Sequence, residues 1–232
     1  MSPLKRFPVG DEQARGYLAL PEGGSGPGVL VLHAWWGLNP FIRRLCDRLA
    51  FEGFTAFAPD VYQGNVARSI DEAKYLRDQV QRERVLATLT GAITYLRGQA
   101  ALTSPRVALL GLSMGASYAL RLSVTRPHDI AAVVAFYGTS GGKFDHAEAA
   151  YQGHFAEQDP FASAASIVGL ESRLRAARRP VEFFTYPGTG HWFFEDDRPG
   201  AYHAAATQKA WSRTLRFLHK HLNRRPRSAR KS

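Results

Sequence analysis

Residues 106–124, RVALLGLSMGASYALRLSV, leave little freedom to the chain. A strand-like run, 106–111, apolar from Val107 to Leu110, passes through Gly111-Leu112-Ser113-Met114-Gly115 directly into a helical pattern over 116–125. A strand that is apolar at successive positions is buried on both faces, and such strands belong to parallel sheets with helices packed on either side. The joint is too short for an ordinary loop. It must fold the chain so tightly that bulky side chains are excluded two residues to either side of Ser113, and Gly111 and Gly115, followed by the small Ala116, meet that need.

The same alternation recurs along the chain. Residues 15–20, 29–33, 55–59, 130–138, 150–155 and 181–186 read as further strands. Helices are expected over 40–51, 71–96, 116–125 and about 201–222. Asn39 is the N-cap of the first, Pro40 its first residue, and Gly53 its end. Leu86, Leu89, Ile93 and Leu96 give the second an apolar face, as Trp211, Leu215, Leu218 and Leu222 do for the last. Repeated strand–helix–strand units predict an α/β fold: a mostly parallel central sheet with helices on both faces. In such sheets the ligand site lies beyond the carboxyl ends of the strands.

The 232 residues, 45% of them hydrophobic, suit one large domain over 1–223. The net charge of +10 invites a nucleic-acid reading, but Arg224, Arg225, Arg227, Arg230 and Lys231 supply half of it. Residues 224–232 therefore read as a basic, disordered tail, and no nucleic-acid motif appears elsewhere. A single cysteine, Cys46, excludes an internal disulfide and reads as a small apolar helix residue. It fits a reducing, cytoplasmic setting. The start, MSPLKRFPVG, has no apolar h-region, and no apolar run is long enough to span a bilayer.

A serine hydroxyl on a strand–turn–helix joint is a candidate nucleophile, and it needs a base and an orienting acid. His191, in YPGTGHWFF after the strand 181–186, is the candidate base, in a loop loosened by Gly188 and Gly190. His128, His146, His154, His203, His219 and His221 are less well placed; His154, inside a strand-like run, suggests packing. The loop after 150–155 supplies Asp159 as the candidate acid, held extended by Pro160, with Glu157 as fallback and Asp145 more remote. Oxyanion donors are expected from the backbone N–H of Met114 and, in HAWWGLN, of Trp35, with Ala34 the neighbouring alternative. Trp36, Trp192 and Phe193 are candidates for an apolar substrate pocket, with core packing an equal alternative.

With these residues in view, the chain resembles the dienelactone hydrolase family of α/β-hydrolases. The resemblance is carried by HAWWGLNPFIRRLCDRLAFEGFTAFAPDVYQG, GLSMGAS, GHFAEQDP and YPGTGHWFFED, and it spans all but the basic tail. It implies an α/β-hydrolase fold without a lid domain, no cofactor and no metal. It also implies hydrolysis of small esters or lactones by Ser113, Asp159 and His191, with Trp35 and Met114 as backbone oxyanion donors. The chain departs from well-studied members in three places. Ser113 replaces a cysteine, Ala34 a glutamate beside the thiol, and Glu195 an arginine that helps hold a substrate carboxylate. A hydroxyl gains little from a neighbouring carboxylate and relies on a general base instead. A neutral, modest-sized ester is the expected substrate, with a carboxymethylenebutenolidase-type activity as the alternative. A non-catalytic binding protein on this fold and a polyanion binder acting through the tail are the rival classes. A monomer or a dimer is compatible with the sequence.

Overall fold

The computed structural model of the chain describes residues 4–222. Its strands and helices follow in the order β1 (Lys5–Val9), β2 (Glu12–Ala19), β3 (Gly28–Leu32), α1 (Pro40–Phe51), β4 (Thr55–Pro59), α2 (Ile70–Gln79), α3 (Arg82–Arg97), β5 (Val107–Leu112), α4 (Met114–Thr125), β6 (Ile130–Phe136), β7 (Ala150–Gln158), α5 (Ala164–Ala176), β8 (Val181–Gly190) and α6 (Ala204–Leu222). The eight strands form one sheet in the order β1-β2-β4-β3-β5-β6-β7-β8. β1 and β2 pair antiparallel with their neighbours, and all other pairs are parallel. The expected α/β fold is present. The basic run 224–232 lies outside the described residues.

The central strands divide their side chains between two cores with the period of the pleat. In β5, Ala108, Leu110 and Leu112 point to the core shared with α1 and α6. Val107 and Leu109 point to the core shared with α3, α4 and α5. Cys46 is buried in the first of these, as a small apolar helix residue should be. Among the described residues, no helix is long and apolar enough to cross a membrane.

Four expectations need correction. The helix expected over 71–96 is two helices, separated by Val80 and Gln81 in extended conformation. Neither proline nor glycine marks the break. Its reason is packing: Ala73 and Leu76 serve one core, whereas Val85, Leu89 and Ile93 serve the other, and one straight helix cannot face both. β7 runs on through Glu157 to Gln158, and β8 runs on to Gly190, so Gly188 and Gly190 are strand residues. The helix 201–222 starts at Ala204. Finally, β1 was not expected, because it buries only Phe7.

Consecutive strands run outward from β3 in one direction to β4 and in the other to β5. Loops leaving β3 and β5 therefore part at that point, which opens a crevice at the carboxyl end of the sheet.

Candidate active site

Ser113 stands between β5 and α4 with φ 51° and ψ −112°. Positive φ is unusual for a residue with a side chain and marks local strain. The surroundings enforce it. A Cβ on Gly115 would lie 2.1 Å from the Leu32 carbonyl oxygen, and one on Gly111 would lie 2.5 Å from the Gly115 backbone. The Ser113 N–H donates to Phe136 O at 2.9 Å, tying the bend to β6. Met114 is the first residue of α4, so its N–H has no carbonyl one turn earlier to bond. Among the described residues, neither that N–H nor the Trp35 N–H finds a backbone acceptor in a turn or loop.

Asp159 and His191 are brought together by strand register. Ala156 pairs with Tyr186, but Gln158 pairs with Gly190, so two extra residues of β8 are accommodated between these pairs. An unshifted register would set Gln158 beside Gly188. The irregularity instead makes Asp159 and His191 the adjacent residues that leave β7 and β8, a common use of such shifts beside functional sites. Glu157, the fallback acid, accepts from the Gly188 N–H at 2.9 Å within this irregularity, and Asp145 is exposed on its own loop.

The three side chains form one chain of hydrogen bonds. Ser113 Oγ lies 2.9 Å from His191 Nε2. His191 Nδ1 lies 2.9 and 2.8 Å from the two oxygens of Asp159. Because a carboxylate accepts, Nδ1 carries the proton, which leaves Nε2 to accept from the serine hydroxyl. The side chains of His191 and Asp159 are only 3% and 2% exposed. Asp159 Oδ1 also accepts from the N–H groups of Phe161 and Ala162, at 2.8 and 3.0 Å, so the acid is pinned from its own loop. The His191 ring sits between Tyr137 and Phe161, each 4.8 Å away between ring centres.

A cleft of about 180 Å³ opens over Ser113 and His191. Trp35 and Met114 line it, together with Arg77, Ser117, Tyr137, Gly138, Thr139 and Phe161. Trp36, Trp192 and Phe193 do not. Trp192 stacks on Trp35 with ring centres 6.1 Å apart, Trp36 is buried beneath both, and Phe193 packs on Tyr137 and Tyr186. These three support the wall from behind. Arg77, Tyr137, Thr139 and Phe161 escaped the sequence reading, because α2 and the β6 and β7 loops carry no motif aimed at the site.

Glu195 also lies elsewhere than a substrate-facing position. It is 1% exposed and accepts a hydrogen bond from Tyr137 Oη at 2.8 Å. Burial pushes its carboxyl up to about 8, against the opposing effect of the Tyr137 hydrogen bond. The same burial, with Glu195 beside it, holds the Tyr137 phenol well above its usual range. The charge that does reach the cleft is positive: the Arg77 guanidinium, 5.8 Å from the Trp35 ring centre and paired with Asp78 at 2.7 Å.

Similar proteins match nearly the whole chain. Protein usf of Aquifex pyrophilus is 32% identical over 232 residues, covering 96% of this chain and 100% of the relative. An Aquifex aeolicus protein named "putative carboxymethylenebutenolidase" is 28% identical, with 96% and 100% covered. The crystal structure of a "putative dienelactone hydrolase" from Klebsiella pneumoniae matches with a TM-score of 0.84 at 26% identity, over 95% of this chain and 98% of that one. The model of the dienelactone hydrolase family matches residues 14–222, and the chain belongs to that family.

Proposed function

We propose that the chain is a serine hydrolase that cleaves small carboxylic esters or lactones through an acyl-enzyme. One observation carries this reading: the unbroken hydrogen-bond chain from Ser113 through His191 to Asp159 at the floor of an open cleft. Membership of a hydrolase family and the carboxymethylenebutenolidase name of a relative support the substrate class.

In the first half, the Ser113 proton passes to His191 Nε2 as Oγ bonds to the substrate carbonyl carbon. The N–H groups of Trp35 and Met114 receive the developing oxyanion, where preorganised donors act most strongly. The C–O bond to the leaving group breaks, and His191 returns the proton to the departing alkoxide. A lactone keeps that alcohol tethered to its acyl group. In the second half, His191 takes a proton from water, the resulting hydroxide attacks the acyl carbon, and Ser113 Oγ leaves with the proton from His191. Asp159 holds the tautomer and stabilises the imidazolium. Each proton borrowed is returned.

Hydrolysis of a short-chain nitrophenyl ester by the wild type and by Ser113→Ala tests this. Loss of at least about a thousandfold in kcat is expected; equal rates in the two proteins would sink the reading. A second reading concerns the substrate. Arg77 at the cleft favours an ester or lactone that carries a carboxylate of its own. Under that reading, Arg77→Met raises KM for an anionic ester about tenfold and leaves a neutral one within about twofold. Equal effects on both esters refute it.

A further inference from the structure

We propose that His33 is a positioning residue for the oxyanion site: its ring holds the Ala34 carbonyl so that the Trp35 N–H, on the opposite edge of the same peptide, faces Ser113. The inference rests on the acyl-transfer reading above and deepens it.

His33 follows β3 directly and is 3% exposed. Its Nδ1 lies 2.6 Å from the Ala34 oxygen. The Val61 N–H donates to its Nε2 at 3.4 Å. A carbonyl only accepts, so Nδ1 carries the hydrogen; Nε2 receives an N–H, so it carries none. The two contacts together select a single neutral tautomer. Burial holds the ring neutral by pulling its proton affinity down, against the opposing effects of the Ala34 bond and the Asp60 charge.

The bond matters because of which peptide it fixes. Ala34 C=O and Trp35 N–H belong to one planar trans amide and point in opposite directions. Anchoring the oxygen on a buried ring turns the N–H outward, on the residue that lines the cleft beside Ser113 and Met114. The Gly37 N–H also donates to the Ala34 oxygen, at 3.2 Å, and closes the turn. His33 supplies the shorter of the two anchors. Its other neighbour reaches the Met114 side chain. Tyr62 packs on the His33 ring with centres 5.2 Å apart, and its hydroxyl lies 3.6 Å from Met114 Sδ. One buried histidine thus touches the Ala34 carbonyl directly and the Met114 side chain through Tyr62.

The test compares purified full-length His33→Phe, His33→Asn, His33→Gln and Ser113→Ala with wild type. Each is assayed for nitrophenyl ester hydrolysis and for affinity toward a trifluoromethyl ketone, which forms a tetrahedral oxyanion on a serine. Phenylalanine keeps the ring and its contact with Tyr62 but donates nothing. It is expected to lower kcat by about tenfold to a hundredfold with KM within about twofold. Ketone affinity should fall by the same factor. Asparagine, whose amide can donate from the place of Nδ1, is expected to recover most of the loss, with glutamine, its donor one bond farther out, in between. A folded His33→Phe with wild-type kcat overturns the proposal. So does equal loss in the Phe and Asn variants, which would mean packing alone, or a fall in kcat with unchanged ketone affinity. If His33→Phe does not fold, asparagine outperforming glutamine supports the proposal and equality overturns it. Hydrolysis that survives Ser113→Ala overturns the underlying acyl-transfer reading instead.

Discussion

Two buried carboxyl groups lie around the catalytic histidine candidate, one bonded to His191 and one to the Tyr137 that packs on it, and they receive different donors. Asp159 receives N–H groups from Phe161, Ala162 and His191. Glu195, equally hidden from water, receives one phenol O–H from Tyr137, and burial drives its carboxyl up to about 8. The two acids thus differ in what reaches them, three N–H groups against one O–H. The loop after β7 delivers two backbone N–H groups to its acid because the chain bends sharply at Pro160. The turn after β8 buries Glu195 against the ring that supports His191 and gives it little else.

Asp159→Asn is the sharpest way to break this contrast. The amide can present an N–H to Nδ1 and so favours the wrong tautomer. A fall in kcat of about a thousandfold is expected, with KM little changed. Steady-state kinetics across a series of esters checks it, and a fall below tenfold would place the acid elsewhere.

Glu195→Gln should act on stability instead. Unfolded, Glu195 releases its proton near the usual 4.5, and folded near 8. Between these values the unfolded chain binds fewer protons, so folding stability falls as pH rises through that window and levels off above it. Glutamine does not titrate. The variant is expected to gain on wild type by a few kcal/mol between pH 5 and pH 9, roughly as linkage scales with pKa difference. Urea melts at several pH values read this directly, and parallel curves would mean that Glu195 ionises normally. Ester hydrolysis at pH 7 is expected to stay within about threefold of wild type.

The smallest effect is expected from Tyr137→Phe. It removes the one hydrogen bond that Glu195 accepts from a side chain among the described residues, at a cost of about 1–2 kcal/mol. Because that bond opposes the upward push of burial, its loss moves the pH-dependent fall in stability toward higher pH. The Phe ring retains the packing on His191, so kcat should change less than fivefold or so. A shift toward lower pH in the same melts would contradict the roles assigned to the pair.

The site was legible where chemistry and backbone geometry coincide in a short stretch. Ser113 stands out because its glycine neighbours are sterically required, and Asp159 and His191 because each follows an apolar strand in an order the fold permits. Leu86 to Leu96 likewise announced a helix through their spacing. What escaped was whatever depends on distant partners. No local signal separates α2 from α3, because the break reflects two different cores. Arg77 and Phe161 reach the cleft only through the way α2 and the β7 loop pack over it. Trp36, Trp192 and Phe193 look like a pocket in sequence but form its backing.

The sequence by itself determined the class of fold and the candidate nucleophile, since buried strands, glycine-bounded turns and helix periodicity are local consequences of side-chain size and polarity. Only the tertiary structure decided that Asp159 meets His191, that Glu195 hides behind Tyr137, and that His33 grips the Ala34 carbonyl. Those outcomes turn on strand register and on burial. Both are properties of residues far apart along the chain that become neighbours only when the sheet is assembled.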